Sequence, residues 1–459
     1  MNFTILKKTP LYNSFSELGK RISLPEGIFY WSGRSKKEAD FIGTIGTAYA
    51  FEKDFINDGT SEWLPCYLAD IKNYFKNLKI NDLVPYASIA GIQDLRLIWK
   101  EWIIKKSNFK EQIDTNKIDH LMKFTSIPII TSGVTSAIFL SCAMFLNPQE
   151  YIICPNKRWE NYDNIIEMFL GAKIYSFELF LNNKFNFEGL EKTILEVSKT
   201  QEKLVILLSF PHNPTGFIPT WEENNQLVKS LSLIQKRINK PIILLIDDAY
   251  EPYIYSENVI NRSIFYDFQQ IEEDIIPLKL DGITKELLMY GGRIGFITIG
   301  LKPSWVNNLE EIEQLKTELD NKLSGMIRST ISNCNHFYQA ITLKIFKEKG
   351  MDKIIEEREV IRNLLKERFE KFNSELKRID CPDISIDPNS GGFFLFLNLN
   401  SDKIKATDFA ECLLKKYKVG VIPIENDQEH INGIRIAYSS VDIHQIPEMV
   451  NLIKLALND

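Results

Sequence analysis

The chain has 459 residues, 44% of them hydrophobic and 25% charged, with a formal net charge of −6. That length exceeds what one compact core serves, so two lobes are expected, and the composition is that of an ordinary globular protein. The slight acidity speaks against a nucleic-acid surface, and the scattered Cys66, Cys142, Cys154, Cys334, Cys381 and Cys412 speak against a disulfide or zinc framework and for a reducing, cytoplasmic setting.

In chain order, the opening MNFTILKKTPLYNSF lacks the sustained apolar core of a signal peptide. The arm LPEGIFYWSG (24–33) carries no chemistry that can be assigned. The window 127–146, IPIITSGVTSAIFLSCAMFL, is broken by Thr, Ser and Gly, so it reads as strand, turn and apolar helix, not as a membrane span of about 20 apolar residues. Short β-rich runs occur at 127–131, 151–154, 173–178, 204–210, 242–247, 275–280 and 294–299, with helix-spaced stretches between most of them. Buried strands alternating with helices predict an α/β fold with a mostly parallel central sheet. From about 340 a long charged helical stretch, read as a solvated face and linker, leads to GGFFLFLNL, ATDFAECLLKKYKVGVIPI and GIRIAYSS, which predict a smaller α+β lobe.

Ligands of such sheets sit beyond the carboxyl ends of the strands. There the sequence has SGVTSA (132–137), PNKRWENY (155–162), PHNPTG (211–216), DAYEPY (248–253) after Asp247, and Thr284-Lys285 followed by Arg293. Each has a bland reading. SGVTSA is an ordinary capped helix start, Trp159 is packing, PHNPTG is a turn, and Asp247 or Asp248 is an N-cap. Together they describe one ligand, a flat, phosphorylated, pyridine-like aldehyde. An open helix start and an arginine suit a phosphate. A lysine can capture an aldehyde as a Schiff base, and a carboxylate keeps a pyridine nitrogen protonated.

The combination of HNPTG, D-x-A-Y, K-x7-R-x-G and a late GIRIA resembles the fold-type I pyridoxal-phosphate enzymes, specifically the class I/II aminotransferases related to aspartate aminotransferase. The resemblance runs from about residue 40 to residue 440. It implies an N-terminal arm with part of the small domain at 1–75, a large cofactor-binding domain at 76–335 and a C-terminal small domain at 336–459. It implies pyridoxal 5'-phosphate as cofactor and no metal. By position, Lys285 should hold the aldehyde and serve as general base, and Asp247 rather than Asp248 should face the ring nitrogen. Asn213 and Tyr250 should bond the phenolic oxygen, and Trp159 should stack on the ring. Arg293 with Gly133, Val134 and Thr135 should hold the phosphate. Tyr86, in YASIAG (86–91), should reach a phosphate across a homodimer interface. Gly46 fits the segment closing over substrate, Arg435 the α-carboxylate site, and Arg328, with Ser332 and Asn333, the clamp for a distal carboxylate from the neighbouring subunit. That clamp favours aspartate or glutamate as donor. Two features depart from the family. Gly282 stands where the family has Ser, with either the Thr284 hydroxyl or backbone donors as the substitute, and ENDQEHIN (425–432) lacks the Pro-Gly-x-x-Phe pattern.

The expected activity is amino-group transfer between an amino acid and a 2-oxo acid. The same apparatus serves lyases and other α/β-elimination enzymes, which is the alternative. A non-catalytic ligand sensor is disfavoured because no DNA-binding segment is expected beside the matched region, and a structural scaffold because all seven cofactor positions are retained together.

Overall fold

The computed structural model describes residues 3–24, 27–76, 78–107 and 114–459; positions 25 and 26 of the N-terminal arm lie outside the described residues. Seven runs pair into one sheet: Ile129–Thr131 (β1), Tyr151–Pro155 (β2), Lys173–Phe177 (β3), Leu204–Ser209 (β4), Ile242–Asp247 (β5), Ile275–Gly282 (β6) and Gly295–Ile299 (β7). Their spatial order is β1-β7-β6-β5-β4-β2-β3. All neighbours are parallel except at β7, which runs antiparallel to β6 and to β1. These are the seven predicted runs, and the last residues of β6 extend the predicted one to Gly282.

Strand side chains alternate between faces, and here both faces are buried. In β5, Ile242, Leu244 and Ile246 enter one core, while Ile243 and Leu245 enter a second core on the opposite face. Helices cover both sides. Among them are Ile28–Glu38 (α1), Gln93–Lys106 (α2), Val134–Phe145 (α3), Trp221–Ile238 (α4), Leu309–Thr330 (α5), His336–Lys349 (α6) and Met351–Leu376 (α7). α4 shows why such boundaries hold. Thr220 Oγ1 accepts from the Glu223 N–H at 3.1 Å while Glu223 Oε2 accepts from the Thr220 N–H at 2.9 Å, and the helix ends at Asn239 with φ 50°.

The long charged stretch is two helices and not one, because Gly350 (φ 79°) breaks it between α6 and α7. Nor is α7 merely a solvated face. It buries a stripe that includes Ile354, Ile361, Leu365, Phe369 and Phe372, together with Arg358 and Arg368. Beyond it, Ile384–Ile386 (β8), Phe394–Leu399 (β9), Ile422–Asn426 (β10) and Ile431–Ala437 (β11) form an antiparallel sheet in the order β8-β9-β11-β10. The N-terminal Phe41 and Ile42 pair in parallel with Val419 and Gly420, which ties the arm to this C-terminal part.

One junction fixes the edge where β1, β6 and β7 meet. Gly282 lies opposite Gly295, and Gly295 opposite Thr131. A Cβ on Gly295 would stand 2.5 Å from the Gly133 carbonyl carbon and 2.7 Å from the Val134 nitrogen; one on Gly282 would stand 2.6 Å from the Ile294 carbonyl oxygen. Gly282, where the resemblance led one to expect a serine, therefore has no room for a side chain in this backbone. Because the neighbours are backbone and cannot rotate away, Gly295→Ala should lower the unfolding free energy by about 1–3 kcal/mol, read from denaturant titration.

Candidate active site

At the carboxyl ends of the parallel strands lies a cavity of about 370 Å³. The sheet edge contributes Val134 and Thr135 at the start of α3, Trp159 after β2 and Asn213 after β4. Asp247 and Tyr250 come from the end of β5, and Thr284, Lys285 and Arg293 from the β6–β7 connection. Gly46 and Arg435 (on β11) close it from outside the large sheet. Gly133 lies just behind the wall with φ 85°, and a Cβ there would stand 2.5 Å from an Arg293 terminal nitrogen.

Strand alternation decides between the two adjacent acids. Asp247 follows Ile246 and turns to the cavity side, 6% exposed, with no ion-pair partner among the described residues. Tyr162 donates to its Oδ2 at 2.5 Å and the Ala249 N–H to its Oδ1 at 3.1 Å. Burial still pushes the Asp247 carboxyl above the usual carboxylate range, against those two donors. Asp248 turns to the other face. Tyr162 as a donor to Asp247 was missed by sequence reasoning; its signal was only its position three residues beyond Trp159.

Lys285 Nζ donates to the Gly46 carbonyl at 2.7 Å and lies 4.9 Å from the centre of the Tyr290 ring and 5.6 Å from that of Tyr250. Burial, with Arg293 and Arg435 nearby, pulls its ammonium down to about 7. Arg435 donates to Asn213 Oδ1 at 3.2 Å and to the Thr44 carbonyl at 3.3 Å, and its guanidinium lies 4.3 Å from the centre of the Phe394 ring. Its Nε and the Thr44 hydroxyl are buried without a hydrogen-bond partner among the described residues. Two polar groups on the cavity wall therefore lack a protein partner, which costs free energy unless a ligand meets them.

The profile of the family "Aminotransferase class I and II" matches residues 116–453. The chain belongs to this family. This aminotransferase is a pyridoxal-phosphate-dependent transaminase. An aromatic-amino-acid aminotransferase of Thermococcus litoralis is 23% identical over 374 residues, spanning 81% of this chain and 83% of its own length. An aspartate aminotransferase of Sulfolobus acidocaldarius is 24% identical over 347 residues, 74% of each chain. A crystal structure of an aminotransferase from Anaerococcus prevotii shares the fold, with a TM-score of 0.78 at 22% identity over 97% of this chain and 100% of that one.

Beneath the cavity, on the other face of the sheet, the aminotransferase carries a buried lattice of charges that the sequence reading did not find. Lys279 Nζ contacts Asp248 Oδ2 at 2.5 Å and Glu251 Oε2 at 2.7 Å. Lys106 Nζ contacts Glu251 Oε2 at 2.6 Å and Glu286 Oε2 at 3.0 Å, and Arg358 pairs with Glu286. The indoles of Trp99 and Trp102 donate to Asp281 at 3.0 Å and to Glu286 at 3.1 Å. None of the seven charged side chains is more than 8% exposed. Burial drives the Asp248 carboxyl upward despite Lys279, whereas Lys106 and Lys279 overcome burial and hold Glu251 low.

Tyr86 and Arg328 stand apart from the cavity of their own chain. Tyr86 is 90% exposed, and Arg328, also exposed, contacts Ser332 at the end of α5. Asn333 Nδ2 donates to the Ala87 carbonyl at 2.9 Å, joining the two segments into one surface.

A depressed lysine is directly measurable. On the cofactor-free protein, acylation of Lys285 by an amine-selective reagent should rise as pH climbs through about 7, because only the neutral amine reacts, whereas ordinary lysines titrate near about 10.4. Peptide mapping by mass spectrometry reads the midpoint; a value near that of surface lysines would contradict the burial described here.

Proposed function

We propose that this aminotransferase moves the amino group of an L-amino acid, aspartate or glutamate being favoured, to a 2-oxo acid, with the cavity residues in the following roles. The observation that carries the assignment is the pairing in one cavity of a buried carboxylate with no cationic partner among the described residues, Asp247, with an amine whose pKa burial pulls down to about 7, Lys285. That donor set fits pyridoxal phosphate. The carboxylate suits a protonated ring nitrogen, the neutral lysine an aldehyde, and Arg293 beside the start of α3 a phosphate. When bound, the cofactor supplies a ring that accepts electron density.

Asp247 pairs with the ring nitrogen and is itself held by Tyr162. Asn213 and Tyr250 bond the phenolic oxygen and Trp159 covers a ring face. Gly133, Val134 and Thr135 offer backbone donors to the phosphate alongside Arg293. Arg435 takes the substrate α-carboxylate; its partnerless Nε and the Thr44 hydroxyl support that role. Lys285 Nζ rests on the Gly46 carbonyl and moves the Cα proton. The elimination reading uses the same residues, but no observation favours it over transamination.

The exposed surface shared by Tyr86 and Arg328 supports a homodimer in which each chain completes its partner's site, Tyr86 at the phosphate and Arg328 at a distal carboxylate. Six free cysteines among the described residues support a reducing, cytoplasmic location. No helix among the described residues is long and apolar enough to cross a membrane.

Absorption spectroscopy of the purified holoenzyme tests the activity. Aspartate or glutamate should convert the cofactor to its amino form and 2-oxoglutarate should restore it; a spectrum that no amino donor changes would overturn the reading. Lys285→Ala should lower turnover by roughly 10²–10⁴-fold or more while leaving the fold intact. Tyr162→Phe, which removes one hydrogen bond to Asp247, should weaken cofactor retention by roughly tenfold in equilibrium dialysis.

A further inference from the structure

Lys285 is held at its backbone and at the tip of its side chain. Its own carbonyl accepts from the Tyr253 hydroxyl at 2.9 Å, and its Nζ donates to the Gly46 carbonyl at 2.7 Å. Three aromatic rings stand around Nζ, their centres 4.9 Å away for Tyr290 and 5.6 Å away for Tyr250 and Phe393. Ring faces attract an ammonium and also receive the N–H groups of a neutral amine. Tyr250 has a role above; Tyr290, the ring nearest the amine, has none.

The β6–β7 connection folds back to bring Tyr290 beside a lysine five residues earlier. The Leu287 and Met289 N–H groups both donate to the Ile283 carbonyl, at 3.0 and 3.3 Å, and the Gly292 N–H donates to the Met289 carbonyl at 3.0 Å. Leu288 takes φ 56°, a left-handed conformation that persists in a residue with a side chain only where its surroundings over-determine it. They do so here, because Leu287, Leu288 and Met289 are all buried. The Tyr290 hydroxyl then accepts from the Ala48 N–H at 3.1 Å. Ala48 is itself buried, and its carbonyl accepts from the Cys66 N–H at 2.8 Å. Gly46, whose carbonyl receives Nζ, lies two residues before Ala48. One side chain therefore meets the amine with its ring and, with its hydroxyl, holds the segment that carries the amine's acceptor.

We propose that Tyr290 is a positioning residue for Lys285: its ring keeps the amine against the Gly46 carbonyl, and its hydroxyl keeps that carbonyl in place. The inference rests on the role given to Lys285 in the transamination reading. Lysine has a flexible stem, and a reacting group displaced by about 1 Å loses about a hundredfold in rate, so a fixed resting place for the amine bears directly on turnover.

Tyr290→Phe and Tyr290→Ala separate the two contacts. On cofactor-free protein the acylation midpoint of Lys285 should stay at the wild-type value in Tyr290→Phe. It should rise by about one pH unit or more in Tyr290→Ala, where water reaches the ammonium in place of the ring. Backbone hydrogen exchange across residues 44–48 should be about tenfold faster in Tyr290→Phe, which leaves the Ala48 N–H without its acceptor. In holoenzyme, Tyr290→Ala should lower kcat for glutamate by about ten- to a hundredfold and change KM less, because the amine acts in proton transfer and not in substrate binding. A wild-type midpoint and kcat in Tyr290→Ala overturn the role of the ring, and wild-type exchange in Tyr290→Phe overturns that of the hydroxyl. Should Tyr290→Ala not fold, Tyr290→Leu gives the same comparison. If the wild-type holoenzyme converts no amino acid, the transamination reading falls, and the acylation and exchange measurements still decide whether Tyr290 positions the amine.

Discussion

Four carboxylates and three cations sealed under a β-sheet must neutralise one another, because a buried charge left without its partner typically costs about 3–5 kcal/mol. That requirement organises the site. Asp248 and Glu286, both members of the lattice, directly follow Asp247 and Lys285 in sequence. Each pair sends one side chain into the cavity and the next into the ion cluster on the opposite face. The lattice thus grips the backbone at the two points where the cavity needs its acid and its amine, through residues that never face the cavity. It also draws in α2 through Lys106 and α7 through Arg358, so elements distant in sequence bear on the same two positions.

The second constraint is steric and lies at the neighbouring edge. Gly133, Gly282 and Gly295 meet where no side chain fits, which brings the start of α3 against β7 and sets Arg293 beside the open backbone of the helix start. Arg293 itself has φ 52°, a left-handed conformation that a non-glycine residue adopts at some cost. Close packing on one side and charge neutralisation on the other leave the cavity little freedom of shape.

The sheet was legible in the sequence because parallel strands buried on both faces read as continuous apolar runs, and the residues at their ends follow from where the runs stop. The choice of Asp247 over Asp248 came from the family resemblance alone, since both faces of β5 are apolar and alternation does not say which of them the cavity takes. The charge lattice was not legible. Lys106 looks like the solvated end of a helix, Lys279 like an interruption in a strand and Glu286 like an accident beside Lys285, and only three-dimensional proximity pairs them. α7 was misjudged for the same reason: Arg358 and Arg368 count as surface residues until their buried partners are known. Helix α1, which lines the cavity with Ile28 and Ser32, carried no recognisable pattern, because the Ile28 N–H is held by Glu160 and Arg34 by Glu411, both far along the chain.

β7 is the one strand of the large sheet that runs against its neighbours, and it begins where β6 ends. The amine at Lys285 and the guanidinium at Arg293 are therefore hung from the single connection between β6 and β7, and under the roles proposed above that connection spans two contacts of one ligand. Surface loops can gain or lose residues at little cost. Between 285 and 293, one inserted or deleted residue would shift the arginine against the lysine and break the register of Gly295 with Gly282. The connection is thus held at one length by the strand pairing and, under the proposed roles, by the ligand as well.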